Sequence, residues 1–216
     1  MPDCKHEIDL ERINSKQIIS FIHSNGLYLL KDFADLQSFS RSHPNFKDFH
    51  HHNKTFYIQQ PIEEVWDAYK NIPPKFAWCG SMFKFGLQYC RKLNMITYKD
   101  DEYKGAAVGQ IVLIRVKVLG GLGMIAVGHE ITAVNNEERM LETCYLLKGK
   151  SLGSQQIRLK ATKEGFTEIS HHTIYKSSSR FRDTILYPFL HSKAIKSFHA
   201  NIRNHLNKNI LSIVKV

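Results

Sequence analysis

The sequence predicts an α+β fold: a curved antiparallel sheet wrapped around a long C-terminal helix, with an N-terminal helical extension ahead of both. Three observations carry this. Segments between residues 92 and 175 alternate apolar and polar side chains, the period of a half-buried strand. The connections between them are short and rich in turn residues ("KDDEYKG", "GGLG", "NNEE", "KEG"), which joins neighbours antiparallel. The last forty or so residues instead repeat apolar side chains at three- and four-residue intervals, the period of one helix face.

The elements follow in order. Residues 7–40 read as helical, interrupted by "SNG" at 24–26, where glycine is a natural helix stop. A polar loop around Pro44, "SHPNFKDFHHHN", follows. "KTFYIQQ" is a short strand with Phe56 and Ile58 on one face, and "PIEEVWDAYKN" is a helix with Pro61 in its first turn. Glu63 and Glu64 sit at its positive end, and Val65, Trp66 and Tyr69 pack. "IPP" at 72–74 stops it, and the aromatic stretch 76–89 shows no clear period. Strands are expected at 92–98, 108–119, 124–134, 139–147, 154–162 and 167–175. Val112, Ile114, Val116 and Val118 share one face, a sign that one side of the sheet needs cover. Phe181, Ile185, Phe189, Ile195, Phe198, Ile202, Leu206 and Ile210 supply that cover as a helical stripe, which Pro188 kinks or restarts. The expected division is 1–50 for the extension and 54–216 for the main domain.

Composition bounds the function. A chain of 216 residues, 43% of them hydrophobic, is enough for one full core and does not require a second. A net charge of +10 attracts polyanions, but the basic residues are scattered, so no specific nucleic-acid stripe is expected. The start lacks the pattern of a secretory signal, and no apolar run approaches the ~20 residues that span a bilayer, so a cytoplasmic location is expected. Cys4, Cys79, Cys90 and Cys144 are never in a C-x-x-C pair and read as free thiols.

The strand-to-helix unit "FYIQQPIEEVWDAYKN", with Glu64, Val65, Trp66 and Asp67 as E-x-V-W-D, resembles the START-like (SRPBCC) superfamily of helix-grip proteins, which includes polyketide cyclases and dehydratases. The resemblance covers about residues 54–212. A G-H-E-I strand (Gly128 to Ile131), an S-x-G-x-Q turn (Ser151, Gly153, Gln155) and "FRDTILYPFLH" (181–191) are similar to uncharacterised bacterial members. What the resemblance implies is a cavity between sheet and terminal helix, used in the superfamily to hold a lipid, sterol or polyketide-like molecule. Some members catalyse and many only carry; fold alone does not choose.

Several motifs imitate known sites. "GKSLG" matches the nucleophile elbow, which needs a helix after the serine, yet a strand follows here. "GLGMIA" matches a dinucleotide loop but runs into β-like sequence, without the helix N-terminus that would hold a pyrophosphate. "HHH" at 50–52 reads as a solvated loop, because adjacent histidines on an extended chain point apart; no metal is expected. In "VGHEITAV", His129 shares a face with Ile125, Val127 and Ile131 and points inward, as core residue or cavity wall first, ligand contact second and catalytic base third. His171 faces the cavity in preference to His172. Arg182, Asp183, Tyr187 and His191 anchor the helix start or line the cavity mouth.

The leading expectation is therefore a binding module for a hydrophobic small molecule. Its wall is formed by Trp66, Tyr69, Val112, Ile114, His129, Tyr145, His171, Tyr175, Tyr187, Phe189 and Phe198, with no cofactor. The alternative is a cyclase- or dehydratase-type enzyme using His129, His171 or Tyr175 as acid and base. A third reading draws on the charge and the extension: docking to an anionic membrane surface or a protein partner, with the extension as the contact of a homodimer.

Overall fold

A computed structural model describes residues 7–40, 48–118 and 123–213, with side chains to residue 208. The expected loop around Pro44, the centre of the "GGLG" turn, Cys4 and the Ile210 side chain lie outside the described residues. A 3₁₀ turn (Leu10–Arg12), α1 (Lys16–Ser24) and α2 (Leu30–Ala34) form the extension. β1 (His50–Ile58), α3 (Ile62–Asn71) and α4 (Pro74–Ala77) follow, and then β2 (Phe83–Cys90), β3 (Met95–Thr97), β4 (Gln110–Val118) and β5 (Gly123–Asn135). β6 (Met140–Tyr145), β7 (Leu152–Ala161) and β8 (Thr167–Lys176) complete the strands, and α5 (Tyr187–Ile213) ends the described chain. The strands form one eight-stranded sheet in the order β1-β8-β7-β6-β5-β4-β2-β3, with every pairing antiparallel.

Alternation along β4 assigns the two faces. Val112 and Ile114 point inward with Phe83 and Phe85, against Trp78 and Phe198. Ile111 and Leu113 point outward with Leu87, Tyr89 and Leu146, and there they meet Ile18, Ile22, Leu27, Phe33 and Leu36 of the extension. The extension is thus a layer on the outer face of its own sheet, and the apolar stripe of α1 is buried within this chain. Arg91 ties the layers together. Its guanidinium pairs with both carboxylate oxygens of Glu130 on β5 and donates to the carbonyls of Ala34 and Leu36.

On the inner face, α3 and the far half of α5 bury Val65, Trp66, Tyr69, Ile202 and Leu206 on Leu141, Ile157, Leu159 and Ile169. The near half departs from the expected stripe: Phe181, Ile185 and Phe189 are 62%, 58% and 59% exposed. Ile195 lies six positions beyond Phe189, a rotation of about 240° at 100° per residue, so one stripe cannot face the sheet on both sides of that gap. The inner positions there are Arg182, Leu186, Leu190 and Ala194 instead.

"HHH" also departs from expectation, because β1 begins at His50. His51 is exposed and stacked on His172, while His52 is buried and contacts Ser192 and His191.

Candidate functional site

Between the inner face of the sheet and the first half of α5 lies a cavity of about 350 Å³. β4 supplies Ile114, Val116 and Val118, and β5 supplies Ile125, Val127 and His129, at the alternating positions that face inward. Trp78 and Phe83 close one side, and Leu186, Leu190, Ala194 and Phe198 of the terminal helical segment close another. Lys117, Lys150, Ser151 and Arg182 make a polar rim; among the described residues no aspartate or glutamate lines the wall.

The cavity-facing helix begins irregularly. Through Arg182–Leu186 the chain winds as a wide π-turn, and the Tyr187 N–H reaches the carbonyl of Arg182 five residues back. Pro188 has no N–H to give to a regular turn here. Arg182 donates to Ser177 Oγ and to the Lys150 carbonyl, and Asp183 accepts from the Ser177 N–H at 2.7 Å. These contacts anchor the segment to the loops at the ends of β7 and β8 and leave Tyr187 facing inward.

From the core into the cavity wall runs a continuous hydrogen-bonded line: Tyr69, His199, His171, Gln155, Tyr145, Tyr187. Gln155 Oε1 accepts from His171 Nε2 at 3.0 Å, and its Nε2 donates to the Tyr145 hydroxyl at 3.0 Å. His171 is neutral, so its Nδ1 accepts from His199 Nε2 at 2.8 Å, and His199 Nδ1 accepts from the Tyr69 hydroxyl. Each link pairs one donor with one acceptor up to the Tyr145–Tyr187 pair, 2.7 Å apart, where one hydroxyl proton is left over at the cavity wall. The reverse direction would strand that proton on Tyr69, buried in the core.

Burial keeps these groups neutral. It lowers His171 well below the usual 6.5 and His199 to about 3. Tyr145 is pushed up to about 12 by burial, partly offset by its bond to Tyr187, and burial raises Tyr187 as well. His129 is lowered to about 4 by burial alone; its Nδ1 has no hydrogen-bond partner among the described residues, and its ring lies against Trp78 at 5.2 Å. Its neighbour Glu130 points the other way, to Arg91, so "GHEI" serves both faces of the sheet.

Among the residues named from sequence, the cavity wall contains Ile114, His129, Tyr145, His171, Tyr187 and Phe198. Tyr69 and Tyr175 stand one step behind it: Tyr69 bonds His199, and Tyr175 stacks on Tyr187 at 3.7 Å while donating to the Asp183 carbonyl. Val112 and Trp66 are core residues, and the Trp66 indole donates to Asn136. Phe189 projects into solvent, because it is out of helical phase with Ile195 and Phe198. Sequence reasoning missed Trp78, Phe83, Gln155 and His199. Gln155 is the last residue of the S-x-G-x-Q motif, the available signal, and stands on β7 rather than in a turn. No group of three or more His, Cys, Asp or Glu side chains among the described residues is arranged to hold a metal, and no described helix is long and apolar enough to cross a membrane.

No family model and no curated protein matches the chain by sequence. Solved structures do match by shape. Norcoclaurine synthase from Thalictrum flavum, in complex with dopamine and hydroxybenzaldehyde, superposes with a TM-score of 0.53 at 14% identity, covering 74% of this chain and 87% of that one. Major latex-like protein 151 from Panax ginseng gives 0.53 at 11%, over 73% and 97%. The KanY protein gives 0.52 at 11%, over 74% and 98%. At such identities the likeness is one of fold: the chain shares the helix-grip fold of these proteins, a curved antiparallel sheet closed by a long terminal helix.

Proposed function

We propose that this protein binds and carries a hydrophobic small molecule with one polar end, of the lipid, sterol or polyketide-like class, in the cavity between sheet and α5. The observation that carries the reading is the cavity itself: about 350 Å³, walled by aliphatic and aromatic side chains, with a few convergent polar groups. That volume lies in the lower part of the roughly 300–1,000 Å³ range of small-molecule sites. The leftover hydroxyl proton of the Tyr145–Tyr187 pair offers a donor to an oxygen of the guest, and the rim of Lys117, Lys150 and Arg182 favours an acidic or polar end there.

The test is displacement of a fluorescent fatty acid, together with native mass spectrometry of the purified chain. Ala194→Trp fills the cavity from its helical wall and is expected to weaken probe binding at least about tenfold, or about 1.4 kcal/mol, with the circular dichroism of the fold retained. Unchanged binding in that variant would remove the reading.

Acid-base chemistry of the cyclase or dehydratase type draws on the same relay. The cavity wall favours it less, because His129, near 4, and Tyr145, near 12, both remain neutral around pH 7. Neutral donors and acceptors suit orientation of a guest better than net proton transfer.

A further inference from the structure

Phe181, Ile185 and Phe189 are spaced four residues apart and stand 62%, 58% and 59% exposed, so they form an unpartnered apolar stripe along the segment that closes the cavity. The positions next to them in sequence, Arg182, Leu186 and Leu190, line the cavity. One side of this helical turn therefore faces the guest and the adjacent side faces water. The stripe is flanked by positive charge: Arg180, Lys193 and Lys196 are exposed, with no ion pair among the described residues. The Lys193 ammonium lies 4.2 Å from the Phe189 ring centre. Across 177–213 the single acidic residue is Asp183, 2% exposed and turned to the Ser177 N–H.

We infer that this stripe docks on the surface of an anionic phospholipid bilayer, which brings the cavity rim to the lipid. The charge pattern chooses the partner. Apolar side chains that enter the acyl boundary beside lysines and arginines that meet headgroups are the two halves of an interfacial helix. A protein groove would need acidic groups of its own to match, whereas anionic lipid presents them at any register. The Lys117 and Lys150 side chains on the cavity rim extend the same positive field.

The experiment is vesicle co-sedimentation of the full chain with phosphatidylcholine alone and with equimolar phosphatidylcholine and phosphatidylglycerol. The wild type is expected to partition at least about tenfold more strongly onto the anionic vesicles at low salt, and to lose most of that preference in high salt. Phe181→Ser, Ile185→Ser and Phe189→Ser combined should cost about tenfold or more, with the fold intact because all three side chains are already exposed. Lys193→Glu with Lys196→Glu should abolish the anionic preference and spare weak binding to neutral lipid. Equal binding to both vesicle types, or a triple variant that binds as the wild type does, would overturn the inference. So would a wild-type dimer in sedimentation that the triple variant disperses, because a second copy would then be the occupant. Ala194→Trp is expected to keep vesicle binding, so failure of the cavity reading and failure of this one show separately.

Discussion

At the scale of single residues, Gln155 decides how the buried polar groups are arranged. Its two amide atoms differ in role, one accepting from His171 and the other donating to Tyr145, and this fixes the tautomers of His171 and His199. Gln155→Leu leaves the His171 Nε2–H without an acceptor in a buried site and is expected to destabilise the fold by about 1–3 kcal/mol. Urea denaturation measures this. Combining it with Tyr69→Phe, at the core end of the line, should cost less than the two losses added, because both act on one network; strict additivity would show that the line is not coupled. Much of the wall was legible from alternation alone: Ile114, His129 and His171 face inward because their strand neighbours do. The relay was not legible, since Tyr69, Gln155 and His199 come from three elements and no spacing in the sequence records their meeting.

At the scale of elements, β2 shows why one strand escaped detection. Phe83 and Phe85 face inward, but the pairing with β4 shifts between Phe85 and Leu87, and from there the odd positions face outward to the extension. With both faces buried and a bulge in the middle, no single period survives along 83–90. Gly86 sits at the shift for a packing reason. A Cβ there would collide with Ile18 Cδ1 and lie 3.1 Å from the Leu113 carbonyl oxygen, so glycine is what lets α1 approach the sheet. Gly86→Ala is expected to cost about 1–3 kcal/mol by overpacking. Ile18→Val removes the colliding methyl and by itself costs about 0.5–1.5 kcal/mol. The double variant should therefore be more stable than Gly86→Ala alone, as read by thermal melting. A double variant that is worse than either single change would mean α1 does not rest on Gly86.

At the scale of the whole molecule, the sheet is a shared wall, with helices and cavity on its inner face and the N-terminal extension on its outer face. A sheet covered on both faces holds imidazoles away from water, and four of them, His129, His171, His191 and His199, have their proton affinity lowered by that burial. Each ring binds a proton more weakly folded than unfolded, so above the usual 6.5 both states are neutral and stability is full. Below 6.5 the unfolded chain gains protons that the folded one refuses, and the loss continues down to the folded values, about 4 for His129 and about 3 for His199. At pH 5 each of those two groups costs about 2 kcal/mol at 1.36 kcal/mol per unit, and His171 and His191 add loss in the same direction. A total of that size rivals the whole 5–15 kcal/mol that holds a typical domain. The urea midpoint is therefore expected to be flat near pH 7 and above and to fall steeply from about pH 6.5 to 4.5, with more than one proton taken up on unfolding. His199→Gln should shallow the slope whatever it does to the midpoint at pH 7. A midpoint that stays level across the same interval would mean that water reaches these rings, and the closed wall between extension and cavity would have to be abandoned.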